Sequence, residues 1–249
     1  MPRLFIFKEL AINDEIFISG EEAHHISRVL RYRPGDVIRI SDGKSVESIG
    51  VILDIDTRDT KIKVRIVDKN IFKEVKPFIT LFQGLPKGEK FDWIIQKSTE
   101  IGVSKLIPII TQRTVVNIAS SKHNRRNERW KKIAREAAKQ SMRIDLPEVG
   151  ELCTFDNSLK EIKNHQLSII PWEHEKEISL KKVLRGINGS VTKVAVFIGP
   201  EGGFSPDEVE KAKEFGAVSV SLGPRILRTE TAAIAVCSML MYELGDMGG

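Results

Sequence analysis

Apolar residues recur along this chain in short bursts, and the period of each burst predicts an element. Near the amino terminus they alternate with polar ones. Residues 4–7, 37–40, 46–55 and 61–67 read as strands, parted by Pro34-Gly35-Asp36, by Asp42-Gly43 and by a turn around Asp59. One helical period interrupts them: Ala23, Ile26 and Val29-Leu30 share a face over residues 21–30. Several short strands with a single helix predict a small β-barrel over residues 1–72, and residues 69–77 read as a linker. From Phe78 the pattern changes. Strand-length apolar runs at 78–82, 103–110, 167–170, 194–198 and 218–222 are separated by helical periods at 89–101, 124–142, 179–184 and 206–215 and by a loop and helix over 152–164. That alternation predicts an α/β domain with a mainly parallel sheet over residues 73–249.

The last quarter of the chain carries the clearest punctuation. The run 194–198 stops at Gly199-Pro200-Glu201-Gly202-Gly203, where glycine permits positive φ and close approach of backbone to a ligand. Ser205 then reads as an N-cap, Pro206 as the first helical residue, Glu208 as the partner of a capping box and Gly216 as the stop. A second cycle follows at once. The run 218–222 ends at Gly223-Pro224, Arg225-Ile226-Leu227-Arg228 makes a loop, and Thr229 is expected to cap a final helix. Residues 232–241 are apolar on nearly every side, which predicts burial. They are too few to cross a bilayer. Their alanines and Ser238 admit a second backbone, from this chain or from another subunit. Two glycine-bearing loops thus leave successive strand ends, where open α/β sheets bind ligands. Neither loop supplies the lysine and hydroxyl of a P-loop or a G-x-G-x-x-G turn. Glu201 in the first loop, with Arg225, Arg228 and Glu230 in and after the second, suits a zwitterionic or cationic ligand better than a polyphosphate.

Charge adds a partner. The 249 residues carry a formal net charge of +5. Between Lys122 and Arg143 stand nine lysines and arginines against two glutamates, a local net of +7. Trp130, Ile133-Ala134, Ala137 and Ser141 form a buried stripe there, so Arg125, Arg126, Arg129, Lys132 and Arg143 are expected to face a polyanion. Over residues 1–72 twelve basic and twelve acidic groups cancel, leaving Arg28, Arg31, Arg33 and Arg39 as a local basic face. Two cysteines make neither a disulfide framework nor a metal set, and the neighbouring His24 and His25 point to different sides of a helix, so no metal is expected. The alternating first ten residues are not a signal peptide, and a reducing cytoplasm is the expected compartment, without a membrane partner.

The late pair of motifs, Gly199-Pro200-Glu201-Gly202-Gly203 and the run from Leu222-Gly223-Pro224-Arg225 to Thr229-Glu230-Thr231-Ala232, resembles the signature of the SPOUT methyltransferases. It is most similar to that of the bacterial 16S rRNA (uracil-N3)-methyltransferase family. Gln96-Lys97-Ser98-Thr99-Glu100-Ile101-Gly102-Val103 and Ala137-Ala138-Lys139-Gln140-Ser141, leading to Arg143, match it too, so the resemblance spans essentially the whole chain. It implies a SPOUT-type parallel sheet with a carboxy-terminal trefoil knot and a PUA-like RNA-binding β-barrel ahead of it. It also implies a homodimer that moves a methyl group from S-adenosylmethionine to N3 of a uridine in 16S rRNA or the small ribosomal subunit. On that reading Pro171, Ile198, Gly199, Pro200, Glu201, Gly202, Leu222, Gly223, Ile226, Leu227, Thr231 and Ala232 would hold the donor, and Arg228, Glu230 and Glu201 would carry the chemistry. The residues alone equally suit an RNA-binding assembly factor, or a methyltransferase of this fold acting at another RNA site.

Overall fold

The computed structural model describes residues 3–56, 58–73, 77–115 and 120–248, with residues 120–123 as backbone alone. The chain divides into two compact units, Met1–Glu74 with Ala138–Leu146, and Val75–Ala137 with Pro147–Gly249.

In the first unit, β1 (Arg3–Phe5), β2 (Glu15–Ser19), β3 (Val37–Ser41), β4 (Val46–Asp56) and β5 (Lys61–Ile71) form one sheet in the order β1-β3-β4-β5-β2. Only the β1–β3 pairing is parallel. Helix α1 (Gly20–His24) runs on as a wide π-helical turn through Val29. The expected small β-domain is present, with a strand, β2, that its mixed composition conceals. β5 runs on to Ile71, into the stretch expected as linker; residues 74–76 of that stretch lie outside the described residues. Alternate strand positions send Ile38, Ile40, Ile52, Ile62, Val64 and Ile66 to one core, closed by Ala23 and Ile26. At the sheet edge the buried Arg3 guanidinium pairs with the buried Glu47 carboxylate. The later segment Ala138–Leu146 joins this unit through Leu146 N–H to Gly43 O at 2.9 Å, Ser41 Oγ–H to Ile144 O and Arg3 to Met142 O.

The second unit alternates as expected: β6 (Phe78–Gly84), α2 (Lys90–Ile101), β7 (Lys105–Ile110), α3 (Ser120–Gln140), β8 (Glu148–Val149), β9 (Cys153–Thr154), α4 (Phe155–Leu159), β10 (Leu167–Pro171), α5 (Leu180–Arg185), β11 (Lys193–Ile198), α6 (Pro206–Glu214), β12 (Val218–Val220) and α7 (Thr229–Leu244). Every described pairing in its sheet is parallel, in the order β12-β10-β11-β6-β7-β8 with β9 also on β7. Its strands read as apolar runs because helices cover both faces. Ile79, Leu81, Val194 and Val196 enter one core with α2 and α7, while Phe82 and Phe197 stack at 4.6 Å in the other. α6 forms as its sequence dictates: Ser205 Oγ accepts from Glu208 N–H, Glu208 accepts from Ser205 N–H, and Gly216 turns the chain at φ +100°. In α7, Ala233, Val236, Cys237, Leu240 and Met241 are buried, but Met239 and Tyr242 stay exposed and Ile234, Ala235 and Ser238 half-buried. The burial expected all round therefore covers one side of this helix. Among the described residues no helix is long and apolar enough to cross a membrane.

Candidate active site

The strand order reverses around β6, and the carboxyl ends of β10, β11 and β12 open there onto a cavity of about 410 Å³. That volume lies within the range of roughly 300–1,000 Å³ usual for small-molecule sites. Pro171, Trp172 and Glu173 line it after β10, residues 198–201 with Gly203 and Phe204 after β11, residues 221–230 with Ala232 after β12, and Lys90 from α2. Of the twelve residues expected to hold a ligand, ten line the cavity. Gly202 and Thr231 do not: Gly202 packs on Arg113, whose Nη1 donates to Gly202 O at 2.7 Å, and Thr231 points outward as an exposed residue.

The first loop is tied down from several directions. A Cβ at Gly84 would stand 2.5 Å from Pro200 N, so glycine at the end of β6 lets the loop backbone cross directly over the strand. A Cβ at Gly199 would meet Gly203 Cα at 2.9 Å, closing the turn on itself. Gln83, wholly buried, donates from Nε2 to Thr229 Oγ1 at 2.9 Å and lies 3.4 Å from Gly199 O. Thr229, expected as a helix cap, is instead the first residue of α7, and its hydroxyl donates to Gly199 O at 2.6 Å. Glu201 bends back to α2, accepting from Lys87 N–H at 3.1 Å and Lys90 Nζ at 2.7 Å. Burial raises the affinity of Glu201 for a proton, yet the Lys90 hydrogen bond and the backbone donors outweigh it and hold the carboxyl below the ordinary value. A carboxylate so stabilised is a tether and a poor proton acceptor.

The second loop has fewer ties. Gly223 adopts φ +107° with open space where a Cβ would be, and its N–H donates to Ser221 Oγ at 3.2 Å. Arg225 and Arg228 are exposed, and Ile226 is 86% exposed although it lines the cavity. Glu230, one residue into α7, is half-buried, and its buried Oε2 has no partner among the described residues. Trp172 Nε1 is likewise buried without a partner. Three cations (Lys90, Arg225, Arg228) and three carboxylates (Glu173, Glu201, Glu230) line the cavity, so it is balanced in charge. Lys90, Glu173, Phe204 and Gln83 escape sequence reasoning as site residues because only the fold brings them to the loops. The signal that could have found Gln83 is a polar residue closing an apolar strand run.

The basic positions separate into two groups. Arg28, Arg31, Arg33, Arg125 and Arg126 are exposed. Arg129, by contrast, pairs with Asp92 and lies 3.3 Å from Glu89, and Lys131 pairs with Glu128 at 3.0 Å. Arg143, counted with the basic face, pairs with Asp145 with its side chain only 8% exposed. Acids from α2 that the local sequence could not reveal therefore offset part of the charge on α3. Lys132 is exposed, and the side chain of Lys122 lies outside the described residues.

A model of the RNA methyltransferase domain matches residues 73–241, and one of the RNA methyltransferase PUA domain matches residues 18–66. The chain is 35% identical to ribosomal RNA small subunit methyltransferase E of Bacillus subtilis over 91% of this chain and 89% of that protein. It is 32% identical to the protein of that name from Rickettsia conorii, over 96% and 94%. The crystal structure of ribosomal RNA small subunit methyltransferase E from Neisseria gonorrhoeae bound to S-adenosyl methionine superposes on 99% of both chains, with TM-score 0.89 and 28% identity. A strand-end cavity walled by two glycine loops, a domain match over residues 73–241 and relatives alike over nine-tenths of the chain or more give one conclusion: this chain belongs to the RNA methyltransferase family and carries that family's PUA domain.

Proposed function

We propose that the chain methylates N3 of a uridine in small-subunit ribosomal RNA, with S-adenosylmethionine as donor. The observation that carries this reading is the charge-balanced cavity between the two loops, in which Glu230 Oε2 and Trp172 Nε1 are buried and unpartnered. Buried polar atoms are nearly always hydrogen-bonded, so two orphans in one lining suit a polar ligand. The fit to the donor is good. Backbone groups of Gly199, Leu222, Gly223, Ile226 and Leu227 can hold adenine and ribose, Ile198, Leu227 and Ala232 give an apolar wall, and Pro171 with Trp172 closes the far side. When bound, S-adenosylmethionine supplies an electrophilic methyl group on a sulfonium centre.

The chain's own work is to orient the base, exclude water and remove the N3 proton. Holding both reactants in a desolvated pocket supplies much of the rate. Glu230 is the proton acceptor, since Glu201 is committed to Lys87 and Lys90. Arg228 neutralises the negative charge that deprotonation puts on the uracil oxygens. Arg28, Arg31, Arg33, Arg125, Arg126 and Lys132 contact RNA phosphates. The apolar side of α7 that one chain leaves open, with Met239 and Tyr242, is covered by a second copy in a cytoplasmic homodimer. The carboxy-terminal segment is threaded as a trefoil knot, a reading that rests on the chain's family membership alone.

Calorimetric titration of the full-length protein with S-adenosylmethionine tests the pocket. One site per chain, lost on filling the turn in Gly199→Val, supports the reading. A folded protein that takes up no donor contradicts it and leaves an RNA-binding factor without catalysis.

A further inference from the structure

A second cavity, of about 380 Å³, belongs to the amino-terminal unit. Its buried lining is Leu10, Ile40 and the small polar Ser48, while its exposed lining carries Phe7, Lys8 and Lys44, with Lys69 beside them. Phe7 is 61% exposed. Its ring reaches within 2.7 Å of where a Cβ of Gly43 would stand, and Gly43 has φ +80°. The Gly43 backbone is itself fixed, its N–H donating to Ser41 Oγ at 2.9 Å and its carbonyl accepting from Leu146 N–H at 2.9 Å. The ring is thus an exposed aromatic seated on a fixed turn.

Two carboxylates line this cavity, and neither neutralises it fully. Asp42 accepts from the N–H groups of Lys44, Ser45 and Val46 at 2.8, 3.0 and 3.0 Å, which ties it to the turn as an anion and leaves three lysines against two carboxylates around the cavity. Glu9 reaches only to 4.0 Å of Lys69 and is itself almost wholly exposed. An aromatic plate with cations around an apolar hollow is what a splayed-out nucleotide needs: a face to stack on and charge for its phosphate. A base paired inside a duplex could not enter such a hollow.

We infer that this cavity holds one unpaired nucleotide of the RNA substrate, its base on Phe7 and its phosphate among Lys8, Lys44 and Lys69. The inference rests on the reading that the substrate is RNA, and it adds a second place where that RNA is gripped. The test uses the full-length protein and a fluorescein-labelled, unstructured 12-nucleotide RNA, read by anisotropy over a series of salt concentrations, with the same RNA as a duplex for comparison. Phe7→Ala weakens single-strand binding roughly 10- to 100-fold, the range for losing one stacked base. It leaves the salt slope and duplex binding unchanged, and Phe7→Tyr restores affinity. Lys44→Ala and Lys69→Ala each flatten the log–log salt slope by about 0.7 for every phosphate no longer neutralised. S-adenosylmethionine affinity stays at the wild-type value throughout, because the altered side chains are in the other unit from the loops, and binding is read at a temperature where each variant is fully folded.

Single-strand binding by Phe7→Ala equal to wild type overturns the inference. So does a flattened slope that is the same for duplex and single strand, which describes a charged patch only, and so does a wild-type protein that binds no single-stranded RNA. If Phe7 matters for binding but the protein transfers no methyl group, the nucleotide pocket stands and the enzymatic reading falls. If methylation proceeds and Phe7 does not matter, the reverse holds.

Discussion

Around one cavity, the turn after β11 and the loop after β12 are held in different ways. The first crosses the end of β6 over Gly84, accepts from Thr229 at Gly199 O, and anchors Glu201 on α2. The second presents Arg225, Ile226 and Arg228 outward and has open space beside Gly223. The difference teaches where to look for chemistry. Residues whose side chains are spent on the fold make a scaffold, and those left without partners at the cavity are the ones a ligand can recruit. By that criterion Glu201 belongs to the scaffold, and Glu230 and Arg228 are the residues we propose for the reaction.

The largest expected effect falls on the second group. Glu230→Gln lowers single-turnover methyl transfer by about 10²–10⁴-fold, the usual weight of a general base, with donor affinity kept. Arg228→Ala lowers it by a comparable factor. An unchanged rate in Glu230→Gln together with a large loss in Glu201→Gln would invert the comparison.

The next effects concern how tightly each loop is packed. Gly84→Ala drives a methyl group into the Pro200 backbone and costs about 1–3 kcal/mol of overpacking, seen as a lower melting temperature and weaker donor binding. Gly223→Ala meets no atom and bears only the left-handed backbone, about 1–2 kcal/mol. Equal steric disturbance in crystal structures of the two variants would break the distinction.

Gln83→Leu is intermediate. It removes the donor to Thr229 Oγ1 and costs about 1–3 kcal/mol. The readout that separates positioning from bulk stability is the donor dissociation constant at a temperature where the variant is fully folded. It rises, and hydrogen exchange at Phe204 and at the start of α7 quickens.

The smallest effect is that of Glu201→Gln. Its ion pair with Lys90 is more than a third exposed on both sides, so screening holds its worth to about 1 kcal/mol or less. The carboxyl is held below its ordinary value of 4.5, so its contribution is complete above that pH and is lost as pH falls through the folded value. Between pH 6 and 8 the group does not titrate. The pH–rate profile of Glu201→Gln should therefore superpose on that of wild type, whereas a displaced limb would mark Glu201 as the base.

Much of this was legible in the sequence, and what was hidden has physical causes. α6 could be read residue by residue because its start and stop are local events: a hydroxyl, a proline, a glutamate three residues on and a glycine. Both loops could be found because left-handed turns at Gly203 and Gly223 and a close backbone approach at Gly199 each call for glycine. Tertiary partnerships left no local trace. Nothing near Glu201 announces Lys90, 111 residues earlier, nor does anything near Arg129 announce Asp92. Thr229 looked like a cap because threonine is a favoured N-cap, but the helix begins on it and the half-buried Gly199 carbonyl takes its hydroxyl. α7 looked wholly buried because composition reports hydrophobicity and not which side of a helix its own fold covers.

The most direct measurement takes small-subunit rRNA from a strain lacking this protein, incubates it with the purified protein and S-adenosylmethionine, and locates new methyl groups by mass spectrometry of nuclease fragments. One N3-methyluridine at a single position, absent with Glu230→Gln, is the predicted result. No methyl group on that RNA, in a protein shown to be folded, or a methyl group on another atom or another RNA, would contradict it.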